Sequence, residues 1–167
     1  MRILYLLSVF IHITSAIVWI GGMTFIILVL VPVLKRGDFR DNFSKLFHMV
    51  GVRFRWIGWI SLLFLVTTGI FNLNFRGYDL PDLWSGRLFS GNFGHVLLQK
   101  LIAVAVIFII SIVHDFWIGP NATKLAGTNP QSPEGMKYRR LASWMGRINF
   151  LLGLIVVAMG ILLVRGF

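Results

Sequence analysis

The sequence contains no cysteine. That excludes disulfides, thiolate zinc and iron–sulfur sites, thiolate haem ligation and a cysteine nucleophile. Charge is scarce: Asp, Glu, Lys and Arg together make up 13% of the 167 residues, against about 25% in a soluble domain. Acid is scarcer still, with 6 Asp and Glu set against 16 Lys and Arg. There is no phosphate-binding glycine loop, no serine triad pattern and no carboxylate pair inside an apolar run. Hydrolytic and nucleotide-driven chemistries have nothing to stand on.

Apolar side chains fill the space that charge leaves. Hydrophobic residues are 57% of the chain, and the mean hydropathy is +0.81. A water-facing enzyme or a disordered chain cannot have this composition. A net charge of +10 would raise nucleic acid as a partner of a soluble protein. Here the basic residues lie between apolar runs, with no basic–aromatic platform apart from them. They read as loop charges that hold membrane spans in place, and no nucleic-acid partner is expected.

A helical span needs about 20 predominantly apolar residues. Four runs qualify, over approximately 3–34, 56–73, 96–118 and 141–164. The expected fold is therefore an all-α integral membrane four-helix bundle, a single domain over 1–167 with the lipid bilayer as its first partner. Arg2, an apolar run and Thr14-Ser15-Ala16 imitate a signal peptide. Hydrophobicity continues unbroken to Leu34, so the reading is an uncleaved first span.

Charge sets the orientation. Eleven Lys and Arg, Arg147 among them, fall on the side of the 35–55 and 119–140 loops, and five fall on the other. The positive-inside rule makes the first side cytoplasmic and puts both termini on the non-cytoplasmic side, as in a multi-pass protein of a bacterial inner membrane. Trp56, Trp59, Trp117 and Trp144 gather near the cytoplasmic boundary like an aromatic belt. Residues 38–50 form an amphipathic cytoplasmic segment, with Phe39, Phe43, Leu46, Phe47 and Val50 at helical spacing. It is expected either to lie on the membrane surface or to extend the second span downward.

Ionisable groups inside a bilayer cost several kcal/mol and mark function by default. His12 lies ~15 Å along the first span, and Lys100 about one turn into the third, with His95 just above it. These form an outer group. His114 ends the third span and His48 precedes the second, an inner group beside Arg53, Arg55 and Asp115. Lys100 and His114 are 14 residues apart, which at ~100° per residue puts them on one face with Ser111. His95 is turned about 140° from Lys100. The first span carries a stripe of His12, Ser15, Trp19 and Met23. The second carries Ser61, Thr68 and Asn72, and the fourth Gly146, Gly153 and Gly160 with Asn149 nearby. Such stripes are ordinary helix–helix packing faces as well as candidate pocket linings.

Imidazoles on facing membrane helices suit haem b, which needs no covalent attachment. An outer site would use His12 with His95 or Lys100, and an inner one His48 with His114. Arg53 and Arg55 would meet propionates. One haem or two are equally compatible. Copper is the alternative. The six methionines (Met1, Met23, Met49, Met136, Met145 and Met159) do not cluster, which weakens a Cu(I) path. Copper at His12, His95, His48 and His114 remains open. A third expectation is a non-catalytic accessory subunit in which the histidines only pack.

Several motifs resemble a known family. Ile11-His12-Ile13 followed by Val18-Trp19-Ile20-Gly21-Gly22 resembles the first-span "LH…W-x-G-G" pattern of the copper-resistance protein D (CopD-like) membrane domain. It also resembles the related small haem-binding membrane protoporphyrinogen oxidases. Gln99-Lys100-Leu101 is similar to the opening of a later span in both. The stretch from Arg53 to Thr68-Gly69-Ile70 resembles their second span, and His114-Asp115-Phe116-Trp117-Ile118-Gly119-Pro120 resembles a CopD-like segment that ends in Pro. The resemblance implies a haem b-associated site at His12 and Lys100. It implies either copper handling or porphyrinogen oxidation, a membrane oxidoreductase passing electrons between a small redox substrate or quinone and a partner such as a redox protein. The glycine faces would allow a homodimer. No catalytic residue is assigned.

Overall fold

The computed structural model describes residues 2–36, 43–128 and 132–165. Seven α-helices follow in chain order: α1 (Arg2–Phe25), α2 (Val31–Leu34), α3 (Phe43–Asn74), α4 (Leu80–Trp84), α5 (Gly91–Val113), α6 (Gly119–Thr128) and α7 (Pro133–Arg165). Among the described residues there is no strand. Four continuous helical rods, Arg2–Leu34, Lys45–Asn74, Gly91–Leu125 and Pro133–Arg165, are long and apolar enough to cross a membrane. The protein is an all-helical integral membrane four-helix bundle.

Two rods are not single α-helices. A π turn at Ile26–Leu30 joins α1 to α2, and another at His114–Ile118 joins α5 to α6. Each is followed within two residues by a proline, Pro32 or Pro120. A proline has no N–H for the carbonyl four residues back. The helix relieves that missing bond by widening in the turn before it. The prolines thus bend the rods without ending them.

The rods overrun the apolar runs at the basic end. α3 begins at Phe43 and α7 at Pro133, although hydrophobicity rises only near residues 56 and 141. Arg and Lys are good helix formers and carry the helices through the headgroup zone. Of the amphipathic stretch 38–50, residues 43–50 extend the second span downward as part of α3. Residues 38–42 lie outside the described residues.

Unlike those of a soluble bundle, the helices are apolar on the outside as well as in the core. Large apolar side chains such as Ile3, Phe10, Leu28 and Ile109 face outward, as lipid allows. Inside, Trp19, Met23, Leu62 and Ile107 form the core. α1 runs antiparallel to α3, with Tyr5 edge-on to Phe75 at 5.5 Å near one end and Trp19 against Gly58 further down. Trp19 also abuts Gly153 of α7: a Cβ there would lie 3.0 Å from its ring. The buried residues of α1 are Ser8, Ser15, Trp19 and Met23, so the stripe that holds Ser15, Trp19 and Met23 is the inward face.

Candidate functional site

The polar interior falls into two layers separated by the Trp19–Met23–Leu62–Ile107 core. The outer layer is built on α1 and α3. His12 Nδ1 lies 2.8 Å from Thr68 Oγ1. The Thr68 hydroxyl donates its single proton back to the Phe64 carbonyl, as helical threonines do. Its oxygen must then accept from His12 Nδ1–H, so the Nε2 of His12 carries the lone pair. Ser8 closes the same layer by donating to the Thr68 carbonyl at 3.4 Å.

Lys100 enters this layer from α5. It interacts electrostatically with His12 and with Arg76. A Cβ at Gly160 of α7 would lie 3.4 Å from its Nζ. No hydrogen bond or ion pair to Lys100 exists among the described residues. Arg76 donates to the Leu163 carbonyl at 3.2 Å and stacks over Phe93. A Cβ at Gly69 would meet His12 Cε1 at 3.7 Å. Gly69 and Gly160 thus receive the imidazole edge and the ammonium in close contact. Asn72 Oδ1 is buried without a partner one turn above Thr68. The layer holds three basic groups, with no carboxylate hydrogen-bonded or ion-paired to any of them among the described residues.

The inner layer centres on the second π turn. His114 Nδ1 donates to Asp115 Oδ1 at 2.8 Å, and Trp59 Nε1 donates to Asp115 Oδ2 at 2.9 Å. A carboxylate fixing Nδ1–H leaves Nε2 as the free donor, the arrangement common to metal-ligating histidines. The His114 side chain is 34% exposed. Between the layers, Asn149 of α7 donates to Ser111 of α5 at 2.8 Å.

The structure brings His12 and Lys100 together, as their depth suggests. It does not pair His48 with His114: His48 Nδ1 engages Thr123 Oγ1 at 3.3 Å, and Thr123 lies nine residues beyond His114, ~13 Å of helical rise. His95 is exposed, in keeping with its angular offset from Lys100. Arg53 and Arg55 diverge, as residues two apart on a helix must. Arg55 reaches toward Gly119 and buries its Nε without a partner. Arg53 lines a groove against α1. They cannot meet one ligand as a pair. Among the described residues no group of three His, Cys, Asp or Glu could hold a metal ion. The sequence reading did not assign Arg76 or Trp59 to a site. Their partners are 87 and 56 residues away, and only the outer position of Arg76 beyond Asn74 hinted at its role.

The family model for copper resistance protein D matches residues 48–163. The chain belongs to the copper-resistance protein D family. The matched region holds Lys100, His114 and both arginines but begins after His12. An uncharacterized protein of Aquifex aeolicus (strain VF5) is 32% identical over 162 residues, covering 96% of each chain. No solved structure matches. As in other members of the copper-resistance protein D family, the setting of these layers is the membrane.

Proposed function

We propose that this protein handles copper within the membrane, with imidazoles in place of the missing thiolates. The observation that carries this reading is shared by both layers. His12 and His114 are each anchored through Nδ1, which leaves each Nε2 free to bind. Imidazole nitrogen is a good copper donor. A soft thioether, Met23, is buried in the core between the two layers. With no three-donor cluster among the described residues, a resident closed site does not fit. Copper is then cargo, taken up at one imidazole and released at the other. Membership of a copper-resistance family supports the same direction.

The test is copper tolerance of a copper-sensitive host expressing the protein. Tolerance above the empty host is expected, with loss in His12→Ala and in His114→Ala but not in His95→Ala. Unchanged tolerance in both single variants would remove the reading.

One observation favours a second reading, haem b. Lys100 and Arg76 repel a cation at His12, and no carboxylate among the described residues pairs with them. A haem carries its own negative propionates, which would offset that charge. His12 Nε2 would hold the haem iron, and Lys100 and Arg76 would hold the propionates. Bound there, haem would supply one-electron transfer to a small redox substrate, a quinone or a redox protein. The reduced-minus-oxidised visible spectrum decides it.

A further inference from the structure

We propose a binding site for an anionic phospholipid in the groove between α1 and α3 at the basic end of the bundle. Gly22, Phe25, Ile26, Val50, Arg53, Phe54 and Ile57 enclose about 210 Å³. Six of these seven offer only hydrocarbon or glycine, and Arg53 lines the groove with its aliphatic stem, so that its charge lies outside the wholly apolar lining. The groove forms where α1 passes into its first π turn at Ile26. The widened turn swings the next apolar side chains out of line with the helix above, and π turns recur at functional sites. Gly22 lets the two helices approach there, since a Cβ would run into the Phe54 ring.

The charge says what occupies it. Arg53 precedes the apolar run of α3 by three residues, at headgroup depth, while Ile57 and Gly22 lie deeper in the hydrocarbon. Arg53 is exposed and has no ion-pair or hydrogen-bond partner among the described residues. Its guanidinium matches a phosphate bidentately. An acyl chain would lie along the groove below it. Basic pockets between membrane helices bind such headgroups. The site is independent of copper or haem: it faces lipid, and its arginine points away from the layer holding Arg55 and His114.

The phosphate could come from a lipid or from free anion, and native mass spectrometry of the detergent-purified full chain separates the two. The probes are phosphatidylglycerol, diacylglycerol with the same chains, and inorganic phosphate. Retention of phosphatidylglycerol over diacylglycerol is expected, with no displacement by inorganic phosphate. Arg53→Gln should weaken phosphatidylglycerol binding about tenfold, as loss of a charged hydrogen bond does. Ile57→Trp, which fills the groove from its exposed side, should weaken it too. Arg36→Gln, an exposed cation at the same end, should leave it unchanged. Equal binding by wild type and Arg53→Gln, or by wild type and Ile57→Trp, would overturn the proposal. So would equal retention of diacylglycerol, or displacement by inorganic phosphate, which would mark a free-anion site.

Discussion

The seven-residue glycine series of α7 shows how much one atom decides. Gly153 receives the Trp19 ring, Gly160 receives the Lys100 head, and Gly146 has nothing within 4 Å. Gly153→Ala should push on Trp19, which is 6% exposed and cannot retreat, and cost about 1–3 kcal/mol. Gly146→Ala should be neutral or stabilise by up to about 1 kcal/mol, because alanine loses less backbone entropy in a helix. Thermal unfolding in detergent reads both. Equal effects would mean that Gly153 is not the seat of the indole. The sequence shows the spacing of these glycines, and the inward stripe of His12, Ser15, Trp19 and Met23 with it. It does not show which glycine meets which side chain, because that depends on the axial offset between α1 and α7. The tautomer of His12 was hidden for the same reason: it follows from Thr68, which is 56 residues away.

At the scale of elements, the two prolines matter more than their positions near span ends suggest. Pro120 follows the π turn that carries His114 and Asp115. If the missing N–H causes that turn, Pro120→Ala restores the bond and the segment tightens to α-helix. Asp115 then rotates away from Trp59. A double-mutant cycle of Trp59→Phe and Asp115→Asn should give a coupling of about 0.6–1.7 kcal/mol in the native background, the range of buried interhelical hydrogen bonds in membranes. In Pro120→Ala the coupling should fall near zero. An undiminished coupling would show that the turn is set by packing and not by the proline. The four spans themselves were legible from hydropathy alone, since lipid demands long apolar runs. Their lower ends were not, because helix propensity carries α3 and α7 past the last apolar residue.

For the whole molecule, eleven basic residues at one end and five at the other lead us to propose the orientation with the first end cytoplasmic. The absence of native cysteine makes this testable without background. A cysteine at Lys137 should react with an impermeant maleimide only after the cytoplasmic side is opened, and one at Ser85 should react in intact cells. The reverse pattern would invert the bundle and exchange the roles of its two layers. The central claim is that His12 and His114, one in each layer, present free Nε2 atoms to copper. Its most direct test is copper binding by the detergent-purified protein at added copper, together with its haem content after growth in haem-replete cells, measured on wild type, His12→Ala and His114→Ala in parallel. The account predicts bound copper in the wild type, reduced in each variant, and no Soret band. A Soret band that vanishes in His12→Ala, with copper absent throughout, would contradict it and hand the outer layer to haem b.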